Sequence, residues 1–118
     1  KVKHIITLGA PIDMYKIIRN YCKLLALNEK LSQAFIKRFE EEVQIKTKEF
    51  DTLMQQFPQN TQGLLAHDLS DDVVLFNELG KIQNYWKTAE SITTRELGHS
   101  MHDAKLYQEI QNYLKKVL

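Results

Sequence analysis

Residues 64–100 of the chain decide its fold, and they read LLAHDLSDDVVLFNELGKIQNYWKTAESITTRELGHS. A short apolar run at 64–66 leads directly into acidic residues, and a second strand-like run, ESITT, follows at 90–94. Between the two runs, apolar side chains recur at the spacing of an amphipathic helix, namely Leu75, Leu79, Ile82 and Trp86. The order strand, helix, strand indicates parallel βαβ connections and therefore an α/β fold.

The two ends of the sequence extend this pattern. Residues 3–8, KHIITL, are rich in β-branched side chains and stop at the turn signal Gly9-Ala10-Pro11, which is typical of a short buried strand. The chain closes with apolar residues at helical spacing, which predicts an amphipathic helix from about Asp103. We therefore expect a third strand near the beginning of the sheet and a helix after its last strand.

Residues 12–57 separate the first strand from the rest of the sheet and contain no strand pattern. Their apolar residues recur at helical spacing, Asn28 is placed to cap a second helix, and Thr47 is placed to cap a third. A polar connector at 58–63 follows them. The pattern predicts a helical subdomain inserted into the sheet.

Composition bounds the classes of protein to which the chain can belong. The 118 residues are 43% hydrophobic and 26% charged, with a formal net charge of +1, so no long-range field is expected to attract nucleic acid or an anionic membrane. No apolar run reaches the length of a membrane span. The single cysteine, Cys22, excludes an internal disulfide and is expected to be a buried small apolar residue; its isolation favours a cytoplasmic location.

Polar side chains follow two neighbouring strands of the predicted sheet. Asp68, Asp71 and Asp72 come after the first of them, and His99 comes after the second. Because parallel strands end at the same edge of a sheet, a carboxylate there could accept the Nδ1–H of His99 and leave Nε2 as a general base. The alternative is that the acids solvate a loop and cap the next helix, while His99 makes a local turn contact.

Residues 64–114 resemble the C-terminal third of an α/β-hydrolase. That family has a strand ending in H-G-x-x-D-x-x-V-P, then a helix, a strand, a G-H pair and a last helix. The matching positions in this sequence are His67, Asp71, Val74, Gly98 and His99. The sequence departs from the family motif at two positions, where Asp68 replaces the glycine and Leu75 replaces the proline.

The resemblance extends to the rest of the chain by position. Residues 3–11, KHIITLGAP, resemble the sixth strand of the hydrolase sheet, and the helices that follow lie where many members insert a lid. The implied organisation is a partial α/β-hydrolase domain spanning 1–118. Residues 1–11 and 58–118 would form the sheet core with flanking helices, and 12–57 would form the helical lid-like insertion.

The resemblance also implies a function. Asp71 would be the acid and His99 the base of a Ser-Asp-His triad, with no cofactor, acting on a small ester, thioester or amide. The four serines of the sequence lie outside any G-x-S-x-G elbow, so the nucleophile and the oxyanion-hole amides would belong to a preceding half of the same fold. The 118 residues by themselves are then expected to be inactive.

Two other functions compete for the same residues. His99 and His102, with Asp68 or Asp71, could hold a metal ion, although the sequence offers no cysteine or further well-spaced ligand beside them. A non-catalytic interaction module could instead associate through its sheet edge or its apolar helices, by forming homo-oligomers or by strand exchange.

Overall fold

Three short runs form a parallel sheet in the computed structural model, which describes residues 2–50 and 60–118; the two outer runs contain β-branched residues and the central run is apolar at its middle. The strands are β1 (His4–Leu8), β2 (Gln62–Asp68) and β3 (Ala89–Thr94), in the order β1-β2-β3. The α-helices of the described ranges are α1 (Met14–Leu24), α2 (Glu29–Val43), α3 (Asn77–Tyr85) and α4 (Ala104–Val117). The predicted α/β class and the parallel connections are therefore confirmed.

Side-chain caps set the beginnings of two helices, one at the predicted cap Asn28 and one at Asp103, near which the last helix was predicted to begin. The Asn28 side chain accepts a hydrogen bond from the Leu31 amide at the start of α2, and Asp103 accepts one from Leu106 at the start of α4, each at 2.9 Å. Each bond satisfies an amide that has no partner within its helix.

None of the helices in the described ranges is both long and apolar enough to cross a bilayer.

The helical subdomain predicted for residues 12–57 differs in detail from what is observed. It contains α1 and α2, followed by one turn of 3₁₀ helix at Thr47–Glu49. Thr47 lies inside this turn rather than capping it, because its amide and hydroxyl both donate to the Glu40 carboxylate, at 2.8 and 2.9 Å. The remainder of the predicted third helix lies outside the described residues.

Strand β2 is the central strand and is buried on both faces. Leu65 packs on one side in a cluster with apolar residues of α3, and Ala66 packs on the other with Met101 and with Leu106 of α4. Consecutive strand residues point to opposite faces, so α3 and α4 cover opposite sides of the sheet. The carboxyl end of β2 is consequently enclosed from both sides, which sets the environment of the acidic residues there.

Trp86 packs directly against the backbone of β2. It is 1% exposed, and its indole N–H donates to the carbonyl oxygen of Thr61 at 2.7 Å. The ring occupies the space above Gly63, where a Cβ would lie 2.2 Å from two of its carbon atoms. Only glycine therefore permits this contact between the end of α3 and the strand.

Glu78 connects the beginning of α3 to the segment between β1 and α1. Its Oε2 accepts hydrogen bonds from the amides of Ile12 and Asp13, at 3.1 and 2.8 Å, and its Oε1 accepts one from Lys81 at 2.8 Å. Burial raises the pKa of this carboxyl, but the three hydrogen bonds outweigh it and hold the pKa below its ordinary range. A charged group inside the protein thus fixes where the helical segment leaves the sheet.

The helical segment has a small apolar core of its own. Ile18 and Cys22 of α1 pack against Ile36 of α2, and all three are at most 5% exposed. The expectation that Cys22 is a buried apolar residue is confirmed. This cluster is separate from those beside the sheet, so α1 and α2 form a paired unit rather than a third layer.

We expect Gly63→Ala to lower the free energy of unfolding by about 3 kcal/mol, because the new methyl group would overlap the Trp86 ring. Gly80→Ala is the matched control. Gly80 lies within α3 with no atom within 4 Å of its Cβ position, so that change is expected to be neutral or stabilising. Urea denaturation of both variants measures the difference, and equal stabilities would contradict the packing argument.

Candidate active site

The turn that follows β2 buries the side chain of Asp71. The Asp71 amide donates to the carbonyl oxygen of Asp68 at 3.2 Å, which closes a four-residue turn. Asp71 Oδ1 then accepts hydrogen bonds from the amides of Val73 and Val74, at 3.0 and 2.8 Å. The side chain has no solvent-exposed surface, so these amides orient the carboxylate and leave Oδ2 to face other partners.

His99 meets the free oxygen of that carboxylate. Its Nδ1 lies 2.9 Å from Asp71 Oδ2, and 43% of its side chain is exposed. A carboxylate accepts hydrogen bonds, so Nδ1 carries the proton and, in the neutral ring, Nε2 is the basic nitrogen. Nε2 makes no hydrogen bond to the described part of the chain. The ring is thus held at one nitrogen and available at the other.

A second histidine lies beneath the pair. His67 is 1% exposed, and its Nε2 donates to the carbonyl oxygen of Val74 at 2.7 Å. The same nitrogen is 3.5 Å from Asp71 Oδ2. Its ring meets that of Phe76 edge to face, with centroids 5.8 Å apart. His67 therefore secures the turn that carries Asp71, and its burial excludes it from contact with a substrate.

Asp68, the last residue of β2, is fully buried and joins the ends of two strands. Its Oδ1 accepts from the amides of Ser70 and Gly98, at 2.8 and 3.1 Å. Its Oδ2 accepts from the Thr94 hydroxyl at 2.6 Å and the Leu97 amide at 3.1 Å. Burial raises the pKa of Asp68, but the four hydrogen bonds outweigh burial and lower the pKa overall.

The lowered pKa of Asp68 makes the stability of the fold depend on pH. Because the folded protein holds the Asp68 proton less tightly than the unfolded chain does, the contribution to stability is complete above the ordinary aspartate pKa of about 3.9. It is lost as the pH falls through the lowered pKa of the folded state. The junction between β2 and the segment after β3 is consequently charged throughout the neutral range.

The end of β1 closes the third side of the site. The Gly9 amide donates to the carbonyl oxygen of Ala66 at 2.8 Å, and Gly9 has a φ of +59°. A Cβ at this position would lie 3.0 Å from Asp71 Oδ2 and 3.4 Å from His99 Nδ1. Glycine is therefore required both by the left-handed backbone conformation and by the close approach to the pair.

The structure brings Asp71 and His99 together and separates Asp72 and His102 from them. Asp72 is exposed, and His102 Nδ1 lies 2.6 Å from the Tyr107 hydroxyl. Within residues 2–50 and 60–118, no group of three His, Cys, Asp or Glu side chains is arranged to hold a metal ion. The metal-site alternative therefore has no support in this part of the chain.

Sequence reasoning missed two residues that shape the site. The sequence pattern offers Asp68 as one of three acids at the strand end, as a departure from the motif and as a possible metal ligand, and it offers Gly9 as a turn residue; it indicates neither the link from Asp68 to the segment before His99 nor the place of Gly9 beside the pair. The spacing Asp68-x-Ser70 is typical of a turn in which the aspartate accepts from the amide two residues later, and this signal was available. The contacts of Asp68 with Leu97 and Gly98 depend on strand pairing, as does the place of Gly9 beside the pair. No local sequence pattern predicts either of them.

No protein-family model matches the chain, and no curated protein sequence matches it. What the structure defines is the coarse class, a mixed α/β fold built on a parallel sheet. The resemblance to α/β-hydrolases stays a prediction.

We expect Gly9→Ala to be more damaging than Gly98→Ala. Both glycines have a left-handed φ, +59° and +66°, so each change adds backbone strain of about 1–2 kcal/mol. Only at Gly9 would the methyl group also press on the Asp71–His99 pair, since Gly98 has no atom within 4 Å of that position. Denaturant unfolding and the imidazole NMR signals of His99 test this, and identical effects of the two changes would contradict it.

Proposed function

We propose that this chain supplies the general base and its supporting acid to a serine hydrolase reaction on a small ester, thioester or amide. The observation that carries the proposal is the 2.9 Å contact between Asp71 Oδ2 and His99 Nδ1, with the carboxylate fully buried and the imidazole partly exposed. A buried carboxylate that orients a partly exposed imidazole is the arrangement of acid and base in a catalytic triad.

In the proposed reaction, His99 Nε2 removes the proton from a serine hydroxyl as the serine oxygen attacks the carbonyl carbon of the substrate. Asp71 stabilises the imidazolium that forms. The same Nε2–H then protonates the leaving alcohol, thiol or amine as its bond to the acyl carbon breaks. In the second half, Nε2 removes a proton from a water molecule as the water oxygen attacks the acyl-serine, and it returns that proton to the serine oxygen as the carboxylic acid leaves. No cofactor takes part in these steps.

The serine of this proposal belongs to a part of the protein outside these 118 residues. Ser32, Ser70, Ser91 and Ser100 all lie outside a G-x-S-x-G elbow. Among the strands of the described ranges, β1 is an outer one, so a further parallel strand could pair with it and bring a nucleophile to the end of the sheet where Asp71 and His99 lie. Strand β1 leads directly to Gly9, at which a Cβ would lie 3.0 Å from Asp71 Oδ2.

The helical segment is proposed to cover the substrate. The Asn20 side chain of α1 donates to the carbonyl oxygen of Asp72 at 2.7 Å, one residue beyond the acid of the pair. Together with the contacts of Glu78, this bond holds the first helix beside the site. Such a position would allow the helices to exclude water from the reaction, as a lid does.

The test uses the full-length protein and an activated ester such as p-nitrophenyl acetate. His99→Ala is expected to lower kcat by about 10⁴-fold, and Asp71→Asn by a similar factor, because each removes part of the base. His102→Ala is the matched control, since this exposed histidine contacts Tyr107 instead. A His99→Ala protein with the activity of the wild type would overturn the proposal.

A second candidate function, an interaction module, is favoured by the exposed apolar face of α1 and α2. Tyr21 and Phe35 approach with ring centroids 6.1 Å apart and are 48% and 38% exposed. Leu24, Leu25 and Leu31 add exposed apolar surface on the same two helices or directly after α1. Surface of this kind is typical of an interface, and we propose a second copy of the chain as its partner.

The interaction proposal predicts self-association that depends on this face. Leu31→Glu is expected to weaken it, because a charge would have to be buried in the interface. Lys30→Glu changes a neighbouring exposed residue and is expected to have little effect. Sedimentation velocity over a range of concentrations measures both. A wild-type chain that is monomeric at every concentration would exclude self-association through the exposed face of α1 and α2.

A further inference from the structure

The segment that delivers His99 to the site is attached to the end of the neighbouring strand by one side chain. Asp68 accepts from the amides of Leu97 and Gly98, the two residues directly before His99, each at 3.1 Å. It also accepts from the hydroxyl of Thr94, the last residue of β3, at 2.6 Å. No surface of Asp68 is exposed.

We propose that Asp68 is the positioning residue for His99. By holding the amides of Leu97 and Gly98, it fixes the backbone from which the imidazole extends and so sets the contact between His99 Nδ1 and Asp71 Oδ2. This inference rests on the proposed function, in which His99 is the base. Asp68 acts through backbone amides and not on the substrate, so it affects the rate of the chemical step rather than substrate binding.

The chemistry of the donors requires a carboxylate. Two hydrogen-bond donors converge on each oxygen of Asp68, and three of the four are backbone amides that can only donate. An asparagine would direct its own NH₂ group at one of the two pairs. In one orientation it opposes the Leu97 amide, and in the other it opposes those of Ser70 and Gly98. Either way, at least one amide of the turn or of the segment before His99 loses its partner.

The backbone that follows His99 is held by Met101, without the help of Asp68. Met101 is 1% exposed and packs against Ala66 of β2 and Leu106 of α4. The segment also contains residues with positive φ, namely Glu96, Gly98 and Met101. Such a backbone must be held on both sides of His99. Asp68 holds the side before it through hydrogen bonds, and Met101 holds the side after it through apolar packing. Loss of Asp68 should therefore release the imidazole while Met101 still holds the chain in place.

The experiment measures kcat and KM of the full-length protein with p-nitrophenyl acetate. Asp68→Asn is expected to lower kcat by at least about tenfold with little change in KM, because a misplaced base slows the chemical step without removing a substrate contact. Thr94→Val, which removes one of the four hydrogen bonds, is expected to give a smaller loss of kcat, and Thr94→Ser to restore it. The two Thr94 variants test the same role of Asp68 if Asp68→Asn does not fold.

Two further measurements separate positioning from general destabilisation. Ile82→Ala truncates the core on the α3 face and leaves the His99 segment untouched, so kcat of the folded protein should be unchanged. The NMR signal of the His99 Nδ1 proton should broaden or move in Asp68→Asn and Thr94→Val but not in Ile82→Ala.

The outcomes are distinct. Wild-type kcat and an unchanged His99 signal in folded Asp68→Asn and Thr94→Val would overturn the positioning role, as would an equal loss of kcat in Ile82→Ala. If His99→Ala is fully active, the proposed function fails instead. The NMR signals then still decide whether Asp68 positions His99, because they do not depend on activity.

Discussion

Burial of the central strand on both faces is the constraint from which the geometry of the site follows. Charged groups at the end of such a strand cannot rely on water, so each must find its hydrogen bonds inside the protein. Asp68 and Asp71 do so with backbone amides of the turn, and Asp68 also binds amides of the segment after β3. The two carboxylates thereby convert the end of one strand into a scaffold for its neighbour.

The two acids take different parts in this scaffold because they face different sides of the sheet. Alternation along β2 places His67 on the face covered by α3, and Asp71 lies against that histidine. Asp68 points to the face of α4, where Ala66 and Met101 also pack. One carboxylate thus contacts the imidazole of His99, and the other holds the backbone that carries it. Neither could replace the other, since their hydrogen-bond donors come from different segments.

Most of the secondary structure was predictable because its signals are local. Short patterns predict the β-branched runs of β1 and β3, the cap at Asn28 and the beginning of the last helix near Asp103. The rule that parallel strands end at one edge predicts that Asp71 and His99 converge. The roles of Asp68 and Gly9 were not predictable, since they arise from pairing between strands far apart in sequence. The prediction that Thr47 caps a helix was wrong, because a capping residue and a residue within a 3₁₀ turn have the same local pattern.

The close approach of the chain at Gly9 to Asp71 and His99 has a consequence for the order of folding events. The three residues follow three different strands: Asp71 and His99 meet when β2 pairs with β3, and Gly9 reaches them only when β1 also pairs with β2. Contacts between residues so distant in sequence require closure of long loops, which is slow and unfavourable in entropy. The complete environment of the imidazole should therefore form only after both strand pairings. A chain in which β1 has not yet paired would have the Asp71–His99 contact without the glycine beside it.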